Sequence, residues 1–219
     1  MRFDLRLYAL LDPAVAGGRR LTDVAKLIAD QATLVQLRDK HGSTRVLIDE
    51  ARALHDVLKP KAVPLLINDR VDVALAAKAD GVHIGQSDMS AADARALLGR
   101  DAIIGLSINT VALAEEAPLD LLDYVGIGGI YATTSKDNTK PPIGIAGLRA
   151  IVRVVQARKP GFPVCGIAGI SHTNAGDVIE AGADGVAVIS ALSLAPAPEE
   201  AARNLRSIVD TALSKRGAA

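Results

Sequence analysis

The run Val35-Gln36-Leu37-Arg38-Asp39-Lys40 sets an amide and two cations at every second position. In a strand, side chains alternate between faces, so Gln36, Arg38 and Lys40 share one side while Val35 and Leu37 take the other. The row falls at the end of an apolar stretch, where a strand meets its loop. Ile67-Asn68-Asp69 closes the next apolar stretch with an amide and a carboxylate. Cations and a metal-grade carboxylate at neighbouring strand ends suit a polyphosphate, and they imply an enzyme acting on a phosphorylated small molecule.

Short β-rich runs alternate with longer helical patterns along the 219 residues. The pattern predicts strands at Leu7–Leu11, Leu34–Arg38, Pro64–Asn68, Gly81–Gly85, Ile103–Ile108, Tyr124–Ile130, Val164–Ile167 and Gly185–Ile189. Helices are clearest at Ser43–Leu58, Met89–Leu98, Ile143–Arg158, Thr173–Ala181 and Pro198–Leu213, with Ser43, Ser90 and Pro198 in cap or first-turn positions. An internal echo, Ala79-Asp80-Gly81-Val82 and Ala183-Asp184-Gly185-Val186, places a glycine between a helix end and a new strand, where a left-handed helix stop is expected. Eight strand-then-helix units in one chain of this length predict a single-domain (β/α)8 TIM barrel over residues 1–219. The alternative, an open doubly wound sheet, lacks its Gly-x-Gly-x-x-Gly after the first strand.

Barrel chemistry belongs to the loops at the carboxyl ends of the strands. Those positions hold Gln36, Arg38 and Lys40, then Asn68 and Asp69, Gln86 and Asp88, Ser107 and Asn109, Thr133 to Lys136, Gly169 and Ser190. Asp69 and Asp88, on adjacent loops, suffice for Mg2+, which takes one or two carboxylates plus phosphate oxygens and water. A helix N-cap at Asp69 and an acid/base dyad are the competing readings, and the nearby cations favour keeping both ionised. Gly169 would let a phosphate approach the backbone after strand seven. The polar loop Ala132–Pro142 is a candidate lid or phosphate loop. His83 reads as a hydrogen-bonded core histidine, His41, His55 and His172 as surface residues, and Cys165 as a small buried hydrophobe.

Composition narrows the classes further. Hydrophobic content is 49%, yet with three Tyr, two Phe and no Trp the core must rest on aliphatic side chains, as in a parallel sheet covered by helices. A formal net charge of zero and the scarcity of aromatics argue against nucleic-acid or anionic-membrane partners. The lone cysteine excludes an internal disulfide and fits a reducing compartment. The first residues lack a signal-peptide apolar stretch, and no run reaches the ~18 apolar residues of a membrane span. A cytoplasmic location is therefore expected, and a homo-oligomer is compatible with the sequence.

Taken together, Gln36-Leu-Arg-Asp-Lys40, Ile67-Asn-Asp69, Asp80-Gly-Val-His-Ile-Gly-Gln-Ser-Asp-Met89, Tyr124-Val-Gly-Ile-Gly128, Thr133-Thr-Ser-Lys136 and Gly185-Val-Ala-Val-Ile-Ser190 resemble the thiamine phosphate synthase family, in order from about Leu7 to Leu192. The resemblance implies a (β/α)8 barrel that joins hydroxymethylpyrimidine diphosphate to thiazole phosphate with Mg2+, releasing pyrophosphate. It implies that Gln36 and Asn68 orient the pyrimidine and that Arg38, Lys40 and Lys136 hold the diphosphate. Asp69 and Asp88 would bind Mg2+, and Ser107 would lie beside the reacting pyrimidine and diphosphate. Thr133, Thr134, Ser135, Gly169, Ile189 and Ser190 would hold the thiazole phosphate. In the catalytic role the same resemblance puts Arg38, Lys40, Ser107 and Lys136. The loop after strand six departs from the family's Pro-Thr-x-Thr-Lys, reading Ala132-Thr-Thr-Ser135-Lys136, which keeps the hydroxyl. Asn109 stands where the family often has histidine.

Two rival classes share such a barrel. A thiazole tautomerase binds the thiazole phosphate but has no diphosphate to ionise, and so has no use for the cation row and both aspartates. A non-catalytic phosphate-ligand binder would need no Mg2+.

Overall fold

The computed structural model describes residues 3–135 and 141–218. Eight parallel strands close into a barrel in chain order: β1 (Leu7–Leu11), β2 (Leu34–Leu37), β3 (Leu65–Asn68), β4 (Gly81–Ile84), β5 (Ile103–Ile108), β6 (Tyr124–Ile127), β7 (Val164–Ile167) and β8 (Gly185–Val188). Closure is made by β8 on β1, with Leu7 opposite Val186. Helices α1 (Leu21–Ile28), α2 (Thr44–Leu58), α3 (Val71–Ala77), α4 (Ala91–Leu98), α5 (Val111–Glu116), α6 (Gly144–Arg158), α7 (Ala175–Glu180), α8 (Ser190–Ser193) and α9 (Pro198–Gly217) follow the strands. Among the described residues, no helix is long and apolar enough to cross a membrane.

Both faces of each strand are covered, so the strands read as nearly unbroken apolar runs rather than as alternating ones. Period two still sorts the side chains. Leu7, Ala9, Leu11, Val35, Leu37, Leu65, Ile67 and Val82 point outward, into the layer between sheet and helices. Tyr8, Leu10, Leu34, Leu66, Ile103, Tyr124, Cys165 and Ala187 fill the barrel. The two phenol rings meet edge to face at 5.9 Å, and Phe3 packs on Tyr124 at 5.7 Å from the amino-terminal end. Burial pushes the Cys165 thiol far above its ordinary range, so it stays protonated and acts as an apolar filler.

The Asp-Gly echo has a different cause from a left-handed helix stop. Neither Gly81 nor Gly185 has a positive φ; Lys78 (φ +57) and Gly182 (φ +109) make those turns instead. At both strand starts glycine is needed for close approach, because a Cβ on Gly81 would fall 1.9 Å from the Ile103 carbonyl oxygen and one on Gly185 1.7 Å from that of Leu5. The aspartates latch strand starts. Asp80 accepts from Leu65 N (2.8 Å), Asp123 from Ile104 N (2.9 Å) and Asp184 from Val164 N (2.9 Å), while Thr33 Oγ1 accepts from Leu7 N (3.0 Å). Each even-numbered strand is thus preceded by a side chain that accepts from an amide at the start of the strand before it, the first residue of β1, β3 and β7 and the second of β5.

Some boundaries differ from the sequence reading. Strand β6 ends at Ile127 rather than Ile130, since Gly128-Gly129 turns the chain with Gly129 at φ +73. Helices α5 and α8, of six and four residues, are too short to stand out by periodicity. Strand β2 stops at Leu37, although Arg38 N still donates to Leu11 O at 2.9 Å. Lys40 therefore reaches its place through the loop and not through strand alternation.

Candidate active site

The carboxyl ends of the strands gather most of the expected residues. Gln36 and Asn68 lie on inward-facing positions of β2 and β3, and Ser107 on β5. Arg38 and Lys40 leave the end of β2. Asp69 follows β3 directly, in the left-handed region at φ +62, a conformation uncommon for a non-glycine residue. It does not cap α3, whose N-cap position belongs to Arg70 and makes no side-chain cap bond. The strained backbone instead turns its carboxylate back over the barrel mouth, where Lys40 Nζ and Asn68 Nδ2 (2.7 Å) both donate to Oδ2. Such strain persists where the surroundings over-determine it, and it clusters at ligand sites.

Asp88 sits opposite, its Oδ2 accepting from Gly85 N at 2.7 Å. Burial pushes the Asp69 carboxyl above its ordinary range; Lys40 opposes that shift and the neighbouring Asp88 adds to it. The neighbouring Asp88 thus disfavours the charge on Asp69, and a bound divalent cation would reverse that preference. Among the described residues no cluster of three or more His, Cys, Asp or Glu is arranged for a metal. The donor set of two aspartates fits Mg2+ completed by water and phosphate oxygens, and would not hold a metal alone.

Arg38 has a partner that the sequence reading overlooked. Its guanidinium lies against Asp12, the residue after β1, whose side chain is 3% exposed and also accepts from Ala14 N at 2.9 Å. Asp12 occupies the same strand-end position as Asp69, and that place in the Leu11-Asp12-Pro13 step is the signal that would have found it.

Opposite this cluster, after β6, β7 and β8, a cavity of about 510 Å3 is lined by Thr133, Thr134, Ser135, Gly169, Ile189 and Ser190, together with backbone-rich neighbours. Ser135 N donates to Thr133 Oγ1 (3.2 Å), and the Ser135 and Ser190 hydroxyls meet at 3.1 Å, tying the loop after β6 to the end of β8. Ala168 (φ +91) and Gly169 (φ +65) fold the β7 loop inward. Asn174 braces it, accepting from Ser171 N (2.8 Å) and donating to Gly169 O (3.0 Å). A pocket lined by hydroxyls and loop backbone, with no charged side chain among its described lining residues, suits a phosphate ester. Lys136, expected to hold the diphosphate, lies outside the described residues. His83 faces the barrel interior, hydrogen-bonded to Tyr124 OH and to Ser107 Oγ, each at 2.8 Å.

With this geometry in place, the comparisons with known proteins agree among themselves. A family model described as thiamine monophosphate synthase matches residues 7–192. The chain is 47% identical over 216 residues to a thiamine-phosphate synthase of Agrobacterium fabrum, covering 98% of each. It is 46% identical over 213 residues to that of Chloroflexus aurantiacus, covering 97% of this chain and 96% of the other. A solved structure of thiamine phosphate pyrophosphorylase from Pyrococcus furiosus superposes with a TM-score of 0.84 at 32% identity, covering 97% of this chain and 98% of that one. On the fold, the site and these likenesses, the chain belongs to the thiamine monophosphate synthase family.

Proposed function

We propose that the chain is a transferase that joins an aminopyrimidine methyl diphosphate to thiazole phosphate, giving thiamine phosphate and pyrophosphate. The observation that supports it best is the meeting of Lys40, Asp69 and Asp88 at one mouth of the barrel with Arg38 close by, and beside them a separate cavity of about 510 Å3 at the ends of β6, β7 and β8. Two phosphorylated substrates need two anion sites, one of them able to carry a growing charge.

The bond that breaks is the carbon–oxygen bond to the diphosphate, and its electron pair leaves with the oxygen. The electron-rich aminopyrimidine stabilises the carbon left behind, and the thiazole nitrogen donates its lone pair to form the new carbon–nitrogen bond. Such a step needs little proton transfer and much stabilisation of the departing charge. Arg38 and Lys40 supply that charge, Arg38 held in place by Asp12. Lys136 would join them, on the family motif. Gln36 and Asn68 orient the ring, and Ser107 offers a hydroxyl beside it. Thr133, Thr134, Ser135, Gly169, Ile189 and Ser190 seat the thiazole phosphate so that its nitrogen faces the pyrimidine carbon, and water is kept from that carbon by the second substrate itself. Asp69 and Asp88 would hold Mg2+, which when bound supplies Lewis acidity and charge toward the diphosphate. The lone buried thiol supports a cytoplasmic setting.

Purified protein incubated with both substrates and Mg2+ should release pyrophosphate in step with thiamine phosphate. Isomerisation of a thiazole phosphate without pyrophosphate release would indicate a tautomerase. Saturable binding without turnover would indicate a carrier.

A further inference from the structure

A polar chain crosses the barrel interior and joins the two ends of the pyrimidine pocket. Gln36 Nε2 donates to Tyr8 OH. From there Tyr8 OH meets Tyr124 OH at 2.9 Å, Tyr124 OH meets His83 Nδ1 at 2.8 Å, and His83 Nε2 meets Ser107 Oγ at 2.8 Å. Gln36, Tyr8 and Tyr124 are 1%, 2% and 0% exposed. Five residues from five different strands thus form one sequence of hydrogen bonds, and backbone space is reserved for it. A Cβ on Gly105 would lie 2.1 Å from Tyr124 Cζ, and one on Gly126 would lie 3.0 Å from His83 Cε1.

The direction of this chain is determined by its first link. With the Gln36 amide donating, Tyr8 is an acceptor there and its own proton must go to Tyr124. Tyr124 in turn donates to His83 Nδ1, which leaves His83 neutral and protonated on Nε2, donating to Ser107 Oγ. The opposite arrangement would pair the Ser107 proton with His83 Nε2 and end on the Gln36 carbonyl; the placement of Gln36 Nε2, and not Oε1, on Tyr8 OH selects the first. Burial pushes both phenols well above their ordinary range, so they keep their protons and the chain carries orientation rather than charge. At the far ends two groups are left for a ligand. Among the described residues, Gln36 Oε1 is a buried atom without a hydrogen-bond partner, and Gln36 borders a small internal cavity with Tyr8 and His83. The Ser107 hydroxyl proton is free of the chain.

We propose that Tyr8, Tyr124 and His83 are positioning residues that set hydrogen-bond polarity at both ends of the pyrimidine pocket. Gln36 then presents its carbonyl, and Ser107 its proton. The pocket so polarised takes a ring with an exocyclic amino donor on the Gln36 side and an acceptor on the Ser107 side, and rejects the oxo ring that reverses the first of these. This rests on the pyrimidine reading of the site given above. Reversing the chain reverses both ends together: Gln36 would turn its amide to the ligand, and Ser107 would donate to His83 Nε2 instead.

Two measurements on wild type, Tyr8→Phe and Tyr124→Phe test it. The first is the nitrogen NMR signature of His83 in ligand-free protein, which distinguishes the two neutral tautomers without any turnover. The second is the ratio of dissociation constants for the aminopyrimidine diphosphate and its 4-oxo counterpart, measured without Mg2+ and without thiazole phosphate. The wild type should carry the Nε2-protonated tautomer and prefer the amino ring by ~10²-fold or more, as sites with a dedicated polar partner do. Tyr124→Phe should shift the tautomer toward Nδ1 and lower the preference by ~10-fold, the scale of one hydrogen bond. Tyr8→Phe should keep the tautomer, since Tyr124 still donates to His83, but lose the preference because Gln36 is released; it decides the matter if Tyr124→Phe does not fold. An Nδ1-protonated wild type, or folded variants with an unchanged preference, would overturn the proposal. A wild type with the expected tautomer but no ring preference would overturn the pyrimidine reading rather than the polarity of the chain.

Discussion

The carboxylate of Asp12 is buried against the guanidinium of Arg38, joining the carboxyl ends of β1 and β2 beneath the mouth of the barrel. Apart from Ala14 N, which donates to Oδ1, Arg38 is the partner that balances this carboxylate. The pair lets a cation be stored at the site without ligand, and it fixes the direction from which that cation meets a diphosphate. A guanidinium so held needs little reorganisation when charge develops on a leaving group.

Arg38→Ala should therefore damage both activity and stability. Alternation alone would predict a harmless truncation, because Arg38 lies off the packing face that Leu37 occupies. Asp12 changes this: removing Arg38 leaves a buried unpaired carboxylate, at a cost of about 3 kcal/mol. Adding Asp12→Asn to Arg38→Ala should recover most of the melting temperature and none of the pyrophosphate release. Equal melting temperatures for the single and double variants would show that the pair carries no stability.

Much of this was legible in the sequence, for reasons that differ by residue. The barrel is written in eight apolar runs spaced by helix-length segments, a pattern that survives small boundary errors. Asn68, Asp69, Asp88 and Ser190 were visible because polar residues ending apolar runs must emerge at the carboxyl rim. Tyr8 and Tyr124 were not, because a tyrosine within an apolar run reads as core, and only the closed barrel brings positions 116 residues apart into hydrogen-bond contact. The left-handed turn at Asp69 was equally hidden, since nothing local distinguishes it from an N-cap before α3. The Asp-Gly echo was seen but explained by helix termination, whereas its cause is pairing between neighbouring strand starts.

Gly169→Ala should weaken thiazole phosphate binding far more than Gly161→Ala changes anything. Both glycines have positive φ, +65 and +76, so each substitution carries the left-handed penalty of about 1 kcal/mol. At Gly161 nothing lies within 4 Å of the added carbon, whereas at Gly169 it meets the Ala132 carbonyl oxygen at 2.5 Å and Tyr131 Cβ at 2.6 Å. The β6 and β7 loops would have to part there, opening the cavity that Ser135 and Ser190 close. Steady-state kinetics should show a raised KM for thiazole phosphate in Gly169→Ala, and Gly161→Ala should differ from wild type only by a small drop in melting temperature.

Lys136→Ala should lower turnover by ~10²–10³, the usual effect of removing one charge-stabilising donor. Lys140→Ala, four residues on, should matter far less. The larger loss at Lys140 would mean that the motif has been aligned in the wrong register.

Asp69→Asn separates what the site costs from what it does. In the folded protein the Asp69 carboxyl holds its proton more tightly than an ordinary aspartate, through burial and the nearness of Asp88 against the pull of Lys40. Ionising it therefore lowers stability as pH rises through and above the usual carboxylate range, and at neutral pH that cost is fully present. Asparagine carries no charge, keeps nearly the same shape and tolerates the left-handed backbone that this position requires. The ligand-free variant should melt no lower than wild type at neutral pH, despite losing its ion pair with the half-exposed Lys40. A cation that binds only the folded state raises its melting temperature in proportion to occupancy, and pyrophosphate should strengthen that effect by completing the coordination shell. Wild type should accordingly be stabilised by Mg2+ with pyrophosphate, and Asp69→Asn much less so, with pyrophosphate release falling in parallel. A variant that melts well below wild type yet is protected equally by Mg2+ and pyrophosphate would reverse the assignment, making Asp69 a structural partner of Lys40 and leaving the metal to other ligands.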